Sequence, residues 1–435
     1  MKPVKVGICG LGTVGRGTFN LLTRNKLLIA DRAGRDIIIE QVGVRHDNHS
    51  CDTTGIKVVR DIFEIARDPA IDIVIELIGG CDTAKQLIMH AIEHGKHVVT
   101  ANKALIAEHG NELFQAAQRQ GVIIAYEAAV AGGIPIIKCL RESLVGNKIN
   151  CLAGIINGTG NFILTEMGDK QRPFAEVLTE AQALGYAEAD PTFDIEGIDA
   201  CHKLTIIAAI AFGAPLQFNK AYTEGISAIT PVDIGYAEAF GYRIKHLGIT
   251  RQHSSGIELR VHPTLLPAHQ PIASMNGALN AIVIDTDALG QTMLSGPGAG
   301  SEATASSIIA DIVDIVRIID RPEAAPHPLG YSPDQLNRPS LQVLPITAIE
   351  SSYYLRIQAQ DHPGVMNAIT QILSEKGINI NAITQKAVRQ DYCYADVVII
   401  TEKVKEALMD QAIQHIESLP DIAAPVIRIR IERMN

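Results

Sequence analysis

The sequence predicts an α/β protein: a doubly wound parallel sheet, then an α+β region, then a small C-terminal βαββαβ module. Three observations lead there. Over residues 1–135, short continuous apolar runs alternate with helical patterns, as in strands covered on both faces. Between the first run and the first helix stands Gly10-Leu11-Gly12-Thr13-Val14-Gly15, a glycine-punctuated turn. Beyond a Pro-rich stretch, residues 351–433 run strand, helix, strand, strand, helix, strand.

Taken in order, Val4–Cys9 is a buried strand and Thr13–Leu28 a helix with Phe19, Leu22 and Leu27 apolar. Asp36–Val44, Ile71–Leu77, His97–Thr100 and Val122–Tyr126 are the next strands, with helices over Thr83–His94 and Ala104–Gln120. The pattern changes after Pro135. Ile134–Val145 reads as an apolar helix. Lys148–Asn157 reads as a strand ending in a tight polar loop, Asn157-Gly158-Thr159-Gly160-Asn161. Asn161–Met167, Pro173–Leu184 and Gly197–Phe212 read as helices, Ile257–Pro263 and Ala281–Asp285 as strands. Ser301–Ile319 is a helix whose apolar stripe (Ile308, Ile309, Ile312, Val313, Val316, Ile319) would return it to the first sheet. Residues 321–349 hold Pro322, Pro326, Pro328, Pro333, Pro339 and Pro345 and read as an extended linker. In the last module Tyr353–Ala359, Asn379–Ala387, Tyr392–Thr401 and Val426–Ile431 are strands, and Gly364–Lys376 and Lys405–Ser418 helices. That order is a ferredoxin-like split motif. The expected division is 1–135 with about 301–320, then 136–300, the linker 321–349, and 350–435.

Composition excludes several function classes. At roughly 100–200 residues per domain, 435 residues give several buried cores. Hydrophobic residues at 47% and charged residues at 20% exclude wholesale disorder. Lys+Arg 38 against Asp+Glu 48 leaves a net charge of −10, without the basic footprint a nucleic-acid partner requires. The most apolar long segment, Leu204–Leu216, falls short of the ~20 residues of a bilayer span, so no membrane is expected. The 7 cysteines show no Cys-x-x-Cys and no zinc-like spacing, and the expected setting is the reducing cytoplasm. His46 and His49 are three apart on a loop and read as solvated.

The glycine turn carries the first chemical signal. It follows an apolar strand and opens a helix, the context of a Rossmann-type dinucleotide site. Gly10 permits the tight turn, Gly12 lets the backbone approach a pyrophosphate, and Gly15 allows close helix–sheet packing. The second strand ends in Arg45, a guanidinium suited to the 2′-phosphate of NADP; Asp47, two residues on, would serve the ribose of NAD. NADP is favoured and NAD stays open. Glu188, Asp190 and Asp194 form an acidic loop before the Gly197–Phe212 helix. On that helix Asp199 and Lys203 are four apart and share a face. The plain reading is a surface ion pair, but Leu204–Ile210 is apolar on nearly all sides. A buried lysine there is costly unless paired and used. Lys103 follows a parallel strand at its carboxyl end, where ligands bind in open α/β sheets.

Taken together, GLGTVG, ELIGG at 76–80, TANKAL at 100–105, YEAAVAGGIPII at 126–137, NGTGNFIL at 157–164, GYAEADPTFDIEGIDACHKLTI at 185–206 and GPGAG at 296–300 resemble homoserine dehydrogenase. The resemblance covers about residues 4–320, and its 185–206 block is far more specific than the glycine turn. Asp361-His362-Pro363-Gly364-Val365 with Gly377-Ile378-Asn379-Ile380 resembles an ACT domain, the small module that binds amino acids. One departure is Ala303, where the family often has Pro.

The resemblance implies NAD(P)-dependent interconversion of L-homoserine and L-aspartate 4-semialdehyde, on the way to threonine, methionine and isoleucine. It also implies an α+β catalytic and dimerisation domain, a homodimer or higher homo-oligomer, and feedback by L-threonine through the ACT domain. It makes Lys203, Asp199 and Lys103 catalytic, and Glu188, Asp194 and Lys103 substrate-binding. The cofactor would meet Gly10, Gly12, Thr13, Val14, Gly15, Arg45, Lys103 and Gly300. A sodium ion would meet Glu127, Val130, Gly132 and Ile134, chiefly through carbonyl oxygens, an oxygen-only set that suits a hard cation. Two other readings stand beside it: another ACT-bearing NAD-dependent dehydrogenase, which would usually carry His or Arg constellations, and a non-catalytic amino-acid sensor. The joint presence of Lys103, Glu188, Asp199 and Lys203 speaks against the sensor.

Overall fold

The computed structural model describes residues 2–46, 51–332, 335–336, 341–385 and 394–434. Asp47, His49, Pro333 and Pro339, and the ends Ala387 and Tyr392 of two expected strands, lie outside them. The chain forms two compact units: Met1–Leu152 with Asp199–Asn219 and Leu279–Gln342, and Ala153–Ile198 with Lys220–Ala278 and Val343–Asn435. Among the described residues no helix is long and apolar enough to cross a membrane.

The chain opens with β1 (Val4–Cys9), α1 (Thr13–Arg24) and α2 (Lys26–Ala33). The single helix expected over 13–28 is thus two, broken at Asn25, whose N–H caps the Leu21 carbonyl. There follow β2 (Ile37–Gly43), β3 (Lys57–Val59), α3 (Ile62–Arg67), β4 (Ile73–Glu76), α4 (Asp82–Glu93), β5 (His97–Thr100), α5 (Lys103–Gln120) and β6 (Ile124–Ala125). The six strands form one parallel sheet in the order β3-β2-β1-β4-β5-β6, the doubly wound arrangement expected. Sequence periodicity missed β3 and α3 because each is short; Asp61 caps α3 by accepting from the Phe63 N–H. The apolar helix expected over 134–145 is instead one turn, α6 (Ile136–Lys138), continued by a wider turn over Cys139–Ser143. β7 (Ile149–Ile155) then carries the chain from the first unit into the second.

The polar loop expected at 157–161 is in fact the start of α7 (Gly158–Lys170): the Asn157 side chain caps it by accepting from the Gly160 N–H at 2.7 Å. α8 (Phe174–Ala183) and α9 (Thr192–Ile195) precede α10 (Ile198–Phe212), which belongs to the first unit. The second unit continues with β8 (Tyr222–Thr223), α11 (Pro231–Ala239), β9 (Tyr242–His253) and β10 (Gly256–Pro267). β9 and β10 pair antiparallel along their full length. In the first unit β11 (Leu279–Thr286) and β12 (Gly290–Pro297) form a hairpin before α12 (Ser301–Ile318). α11, β9 and β12 were absent from the expectation. In β9, Lys245 and His246 interrupt the apolar alternation that marks a strand.

α12 returns to the first unit as its stripe predicts. Ile308, Ile309, Ile312, Val313, Ile315 and Val316 join Val4, Val6, Ile8, Phe19 and Ile73 in one core. The Pro-rich stretch behind it does not hang free in its described part: Leu329 is 2% exposed, and the Tyr126 hydroxyl donates to the Pro328 carbonyl at 2.6 Å.

The C-terminal module keeps its expected order: β13 (Glu350–Gln360), α13 (Val365–Glu375), β14 (Ile380–Gln385), β15 (Tyr394–Thr401), the short β16 (Val404–Lys405), α14 (Glu406–Glu417) and β17 (Ile427–Ile431). Its strands lie in the order β17-β13-β15-β14, and β17 also pairs with β10, so this sheet continues into β10 and β9. The join is polar and buried. Arg430, fully buried, pairs with Glu406 and with Glu224. Arg356 on β13 pairs with Asp233 on α11 at 2.6 Å. Arg260 on β10, 2% exposed, donates to Glu258 at 2.8 Å and to Glu432 at 3.0 Å.

Candidate active site

The glycine turn sits where the sheet order requires, between β1 and α1. Gly10 has φ +101°, and a Cβ there would lie 2.6 Å from the Leu77 carbonyl oxygen. A Cβ on Gly15 would overlap the Gly10 carbonyl oxygen, whereas at Gly12 it would meet open space. Gly12 caps α1 with no side-chain bond to its first N–H groups, which leaves them to an anionic ligand. Thr13 is exposed and Val14 half-buried. Gly300 caps α12 with φ +120°, and the next residue, Ser301, donates from its hydroxyl to the Thr13 carbonyl at 2.7 Å. Gly300 is thereby fixed beside the turn. Arg45 is exposed just past the end of β2. Gly15→Ala is expected to abolish measurable NADPH binding in a fluorescence titration while the fold persists; unchanged affinity would remove the turn from the cofactor site.

At the carboxyl ends of β4 and β5 two motifs interlock. Glu76, fully buried, accepts from the Thr100 hydroxyl at 2.6 Å and from the Ile78 and Gly79 N–H groups at 2.9 and 3.3 Å. Burial holds its carboxyl above the ordinary carboxylate range. Asn102 caps α5 through Leu105 N–H and donates to the Gly80 carbonyl. Sequence reasoning quoted both motifs but passed over Glu76; its signal is a carboxylate at the end of an apolar parallel strand.

Lys103 is the first residue of α5 and projects from this frame. Its Nζ lies 3.2 Å from Asp199 Oδ1, while Asp199 Oδ2 accepts from Lys203 Nζ at 2.7 Å. One carboxylate is thus shared by two ammonium groups. Asp199 and Lys203 are buried; the Lys103 side chain stays 36% exposed. Beside them His202 meets Glu108 at 3.1 Å and stacks on Phe218, and burial lowers its pKa. The three residues named catalytic from the sequence are therefore brought together.

Glu188 and Asp194 belong to the second unit. Glu188 is exposed. Asp194 lies in α9 and accepts from the Asn157 side chain at 2.8 Å; Thr159 donates to the Tyr186 carbonyl at 2.7 Å. The acidic loop is thus tied to the first turn of α7. Behind that turn sits Lys245, unforeseen from sequence, with Nζ donating to Asn161 Oδ1 at 3.1 Å, Met275 O at 2.7 Å and Asn276 Oδ1 at 3.0 Å. Burial lowers its pKa to about 8.

The expected cation residues cluster in the first unit. Glu127 accepts the Ile137 and Lys138 N–H groups, both at 2.8 Å, and donates its own N–H to Asp311. The loop turns through Ala131 (φ 53°) and Gly132 (φ 52°). Burial raises the pKa of both Glu127 and Asp311. Asp311 was missed, though an Asp within the α12 stripe signals it. Among the described residues no group of three or more His, Cys, Asp or Glu is placed to hold a metal ion. The expected set differs in kind, with one carboxylate and main-chain oxygens.

A doubly wound sheet with this turn and a lysine–carboxylate–lysine group define the class: an oxidoreductase with a nicotinamide-dinucleotide-binding domain. The homoserine dehydrogenase profile matches residues 135–313, its NAD-binding domain profile residues 10–127, and the ACT profile residues 353–421. The chain is 58% identical over 437 residues to homoserine dehydrogenase of Pseudomonas aeruginosa, covering 100% of both chains. The crystal structure of a homoserine dehydrogenase from Thiobacillus denitrificans superposes with a TM-score of 0.95 at 53% identity, covering 100% of this chain and 99% of that one. A hyperthermophilic archaeal homoserine dehydrogenase in complex with NADPH matches with a TM-score of 0.62 at 27% identity, over 72% of this chain and 97% of that one. The chain belongs to the homoserine dehydrogenase family and is an oxidoreductase with a C-terminal ACT domain.

Proposed function

We propose that this chain interconverts L-homoserine and L-aspartate 4-semialdehyde with NADP(H), in the cytoplasm, as a step toward threonine, methionine and isoleucine. The observation that carries the reading is the Asp199 carboxylate shared by Lys103 and Lys203 at the start of a buried helix. When bound, the nicotinamide supplies or accepts the hydride at the carbon bearing the reacting oxygen. Lys203 donates the proton to that oxygen in reduction and takes it back in oxidation. Asp199 orients the Lys203 amine and limits its reach. Lys103 adds positive charge where negative charge develops on the oxygen. Glu188 pairs with the substrate ammonium, and Asp194 holds the loop that presents it.

In this reading residues 1–135 with about 301–320 bind the cofactor, 136–300 bind substrate and pair two copies in a homodimer, 321–349 link, and 350–435 regulate. The exposed Arg45 supports NADP, as does the NADPH complex of the archaeal relative. Na⁺ would be held by Glu127 and by the main-chain oxygens of Val130, Gly132 and Ile134, offsetting the buried Glu127–Asp311 pair. Its contribution would be to fix the loop 127–134. The ACT domain supports an amino-acid effector, L-threonine.

The test is oxidation of NADPH and of NADH with L-aspartate 4-semialdehyde, with and without L-threonine. The expected result is faster turnover with NADPH, suppressed by threonine. Turnover indifferent to threonine would leave the enzyme reading and remove the effector. No turnover from a folded protein that binds NADPH would turn the reading to a sensor.

A further inference from the structure

Lys245 is a buried cation, 3% exposed, whose hydrogen-bond acceptors among the described residues are all neutral oxygens. A buried ammonium is costly, and methionine would fill the same space without that cost. All three of its acceptors are oxygens of two segments: Asn161, in the first turn of α7, and Met275–Asn276. Asn161 in turn donates to the Met275 and Gly277 carbonyls at 3.0 and 2.9 Å. The seam is close: a Cβ on Gly158 would lie 2.8 Å from the Ala278 carbonyl oxygen. Lys245 therefore clamps the first turn of α7 onto residues 275–278. From the other side of that turn, Asn157 and Thr159 hold Asp194 and Tyr186.

We infer that Lys245 is a positioning residue for substrate binding, acting through Asn161 and the first turn of α7 to fix the 186–194 loop. This rests on the reading of Glu188 and Asp194 as substrate-binding residues. None of the hydrogen-bond partners of Lys245 belongs to the glycine turn or to the Lys103–Asp199–Lys203 group. Its loss therefore acts on substrate affinity, leaving cofactor affinity and the chemical step alone.

The experiment compares Lys245→Met, Asn161→Ala and the double variant by steady-state kinetics with L-homoserine and NADP⁺, with NADPH affinity by fluorescence. The expected result is a KM for L-homoserine raised about tenfold in each single variant, kcat within about threefold, and unchanged NADPH affinity. The double variant should be no worse than the worse single one, since both break one chain of contacts. Asn276 is exposed, so Asn276→Ala folds even where Lys245→Met does not. It should raise KM by about two- to threefold, having removed one acceptor of three. An unchanged KM in Lys245→Met or Asn276→Ala, or additive losses in the double variant, would overturn the assignment. Glu188→Gln separates the two readings: if it leaves KM for L-homoserine unchanged, the substrate assignment fails whatever Lys245 does.

Discussion

Lys203→Ala is expected to lower kcat by about 10²–10⁴-fold, the range for losing a positioned proton donor. NADPH affinity and thermal midpoint should change little, because the anion-facing N–H groups of the glycine turn stand at the start of α1 and Lys203 on α10. The remaining ammonium of Lys103, 3.2 Å from Asp199, keeps the carboxylate paired in the variant. That pairing limits the structural damage that removing half of a buried ion pair otherwise causes. Measured kcat within threefold of the parent would take the proton from Lys203 and leave Lys103 as the remaining lysine of the group.

The second large effect is on stability. Arg260→Leu takes from the buried Glu258 and Glu432 the buried one of the two guanidiniums they share, leaving the more exposed Arg251, at a cost of about 3 kcal/mol. The same network sets the acid limit. Burial alone would push the Glu258 carboxyl up, but Arg260, His253 and Arg251 together outweigh it and hold it at about 2. A folded-state pKa below the ordinary value of 4.5 contributes stability above pH 4.5 that is lost as the pH falls toward 2, about 3 kcal/mol in all.

Two histidines act earlier. His262 is buried and accepts from Arg260 on Nε2, so Nδ1 carries the proton toward the Pro263 carbonyl. Burial holds its pKa well below 6.5 and that of His246 at about 4. Both are neutral when folded and bind a proton on unfolding, so stability falls as the pH drops below 6.5. Denaturation midpoints measured from pH 7.5 to 3 should decline in two stages, near 6.5 and then below 4.5. In Arg260→Leu the second decline should shrink, because Glu258 loses its strongest positive neighbour and keeps only Arg251 and His253. A flat midpoint from pH 7 to 5 in the parent would contradict the buried neutral histidines.

The parallel sheet was legible because its strands are continuous apolar runs and its helices have period-3.6 faces; β1 and β5 keep the boundaries read from sequence. The C-terminal module was legible from the alternation of Tyr353–Ala359 and from the strand and helix patterns that follow it in ferredoxin-like order. Asp199 and Lys203 were legible as a charged pair at helical spacing on an otherwise apolar helix. Some of what escaped was short, as β3 and α3 are, and some carried charged or polar side chains at buried positions, as β9 does at Lys245 and His246. β10 was read as a strand over Ile257–Pro263, but its Glu258, Arg260, His262 and Thr264 are all buried, and such residues look like surface until their partners are known. Glu432 is one such partner, bonded by Arg260 at 3.0 Å and 172 residues further along the chain. Asn157 was misread for a local reason. A polar Asn-Gly-Thr-Gly-Asn run suits a turn, yet an Asn side chain followed by small residues also makes a helix N-cap. Lys245 and Asp311 are legible only as charges out of pattern, with no indication of what they hold.

The placement of α12 bears on how this protein is made. Its isoleucines complete the core of a sheet whose last strand, β6, has left the ribosome long before. At about 5–20 residues per second, synthesis from Ala125 to Ile318 takes roughly 10–40 s. Through that interval the nascent sheet offers an uncovered apolar face between β1, α1 and α2. A chaperone that shields aliphatic surface has its window there. A transcript cut short before Ser301 yields a product that keeps every strand of the nucleotide-binding sheet and lacks its cover, a species destined for aggregation or proteolysis.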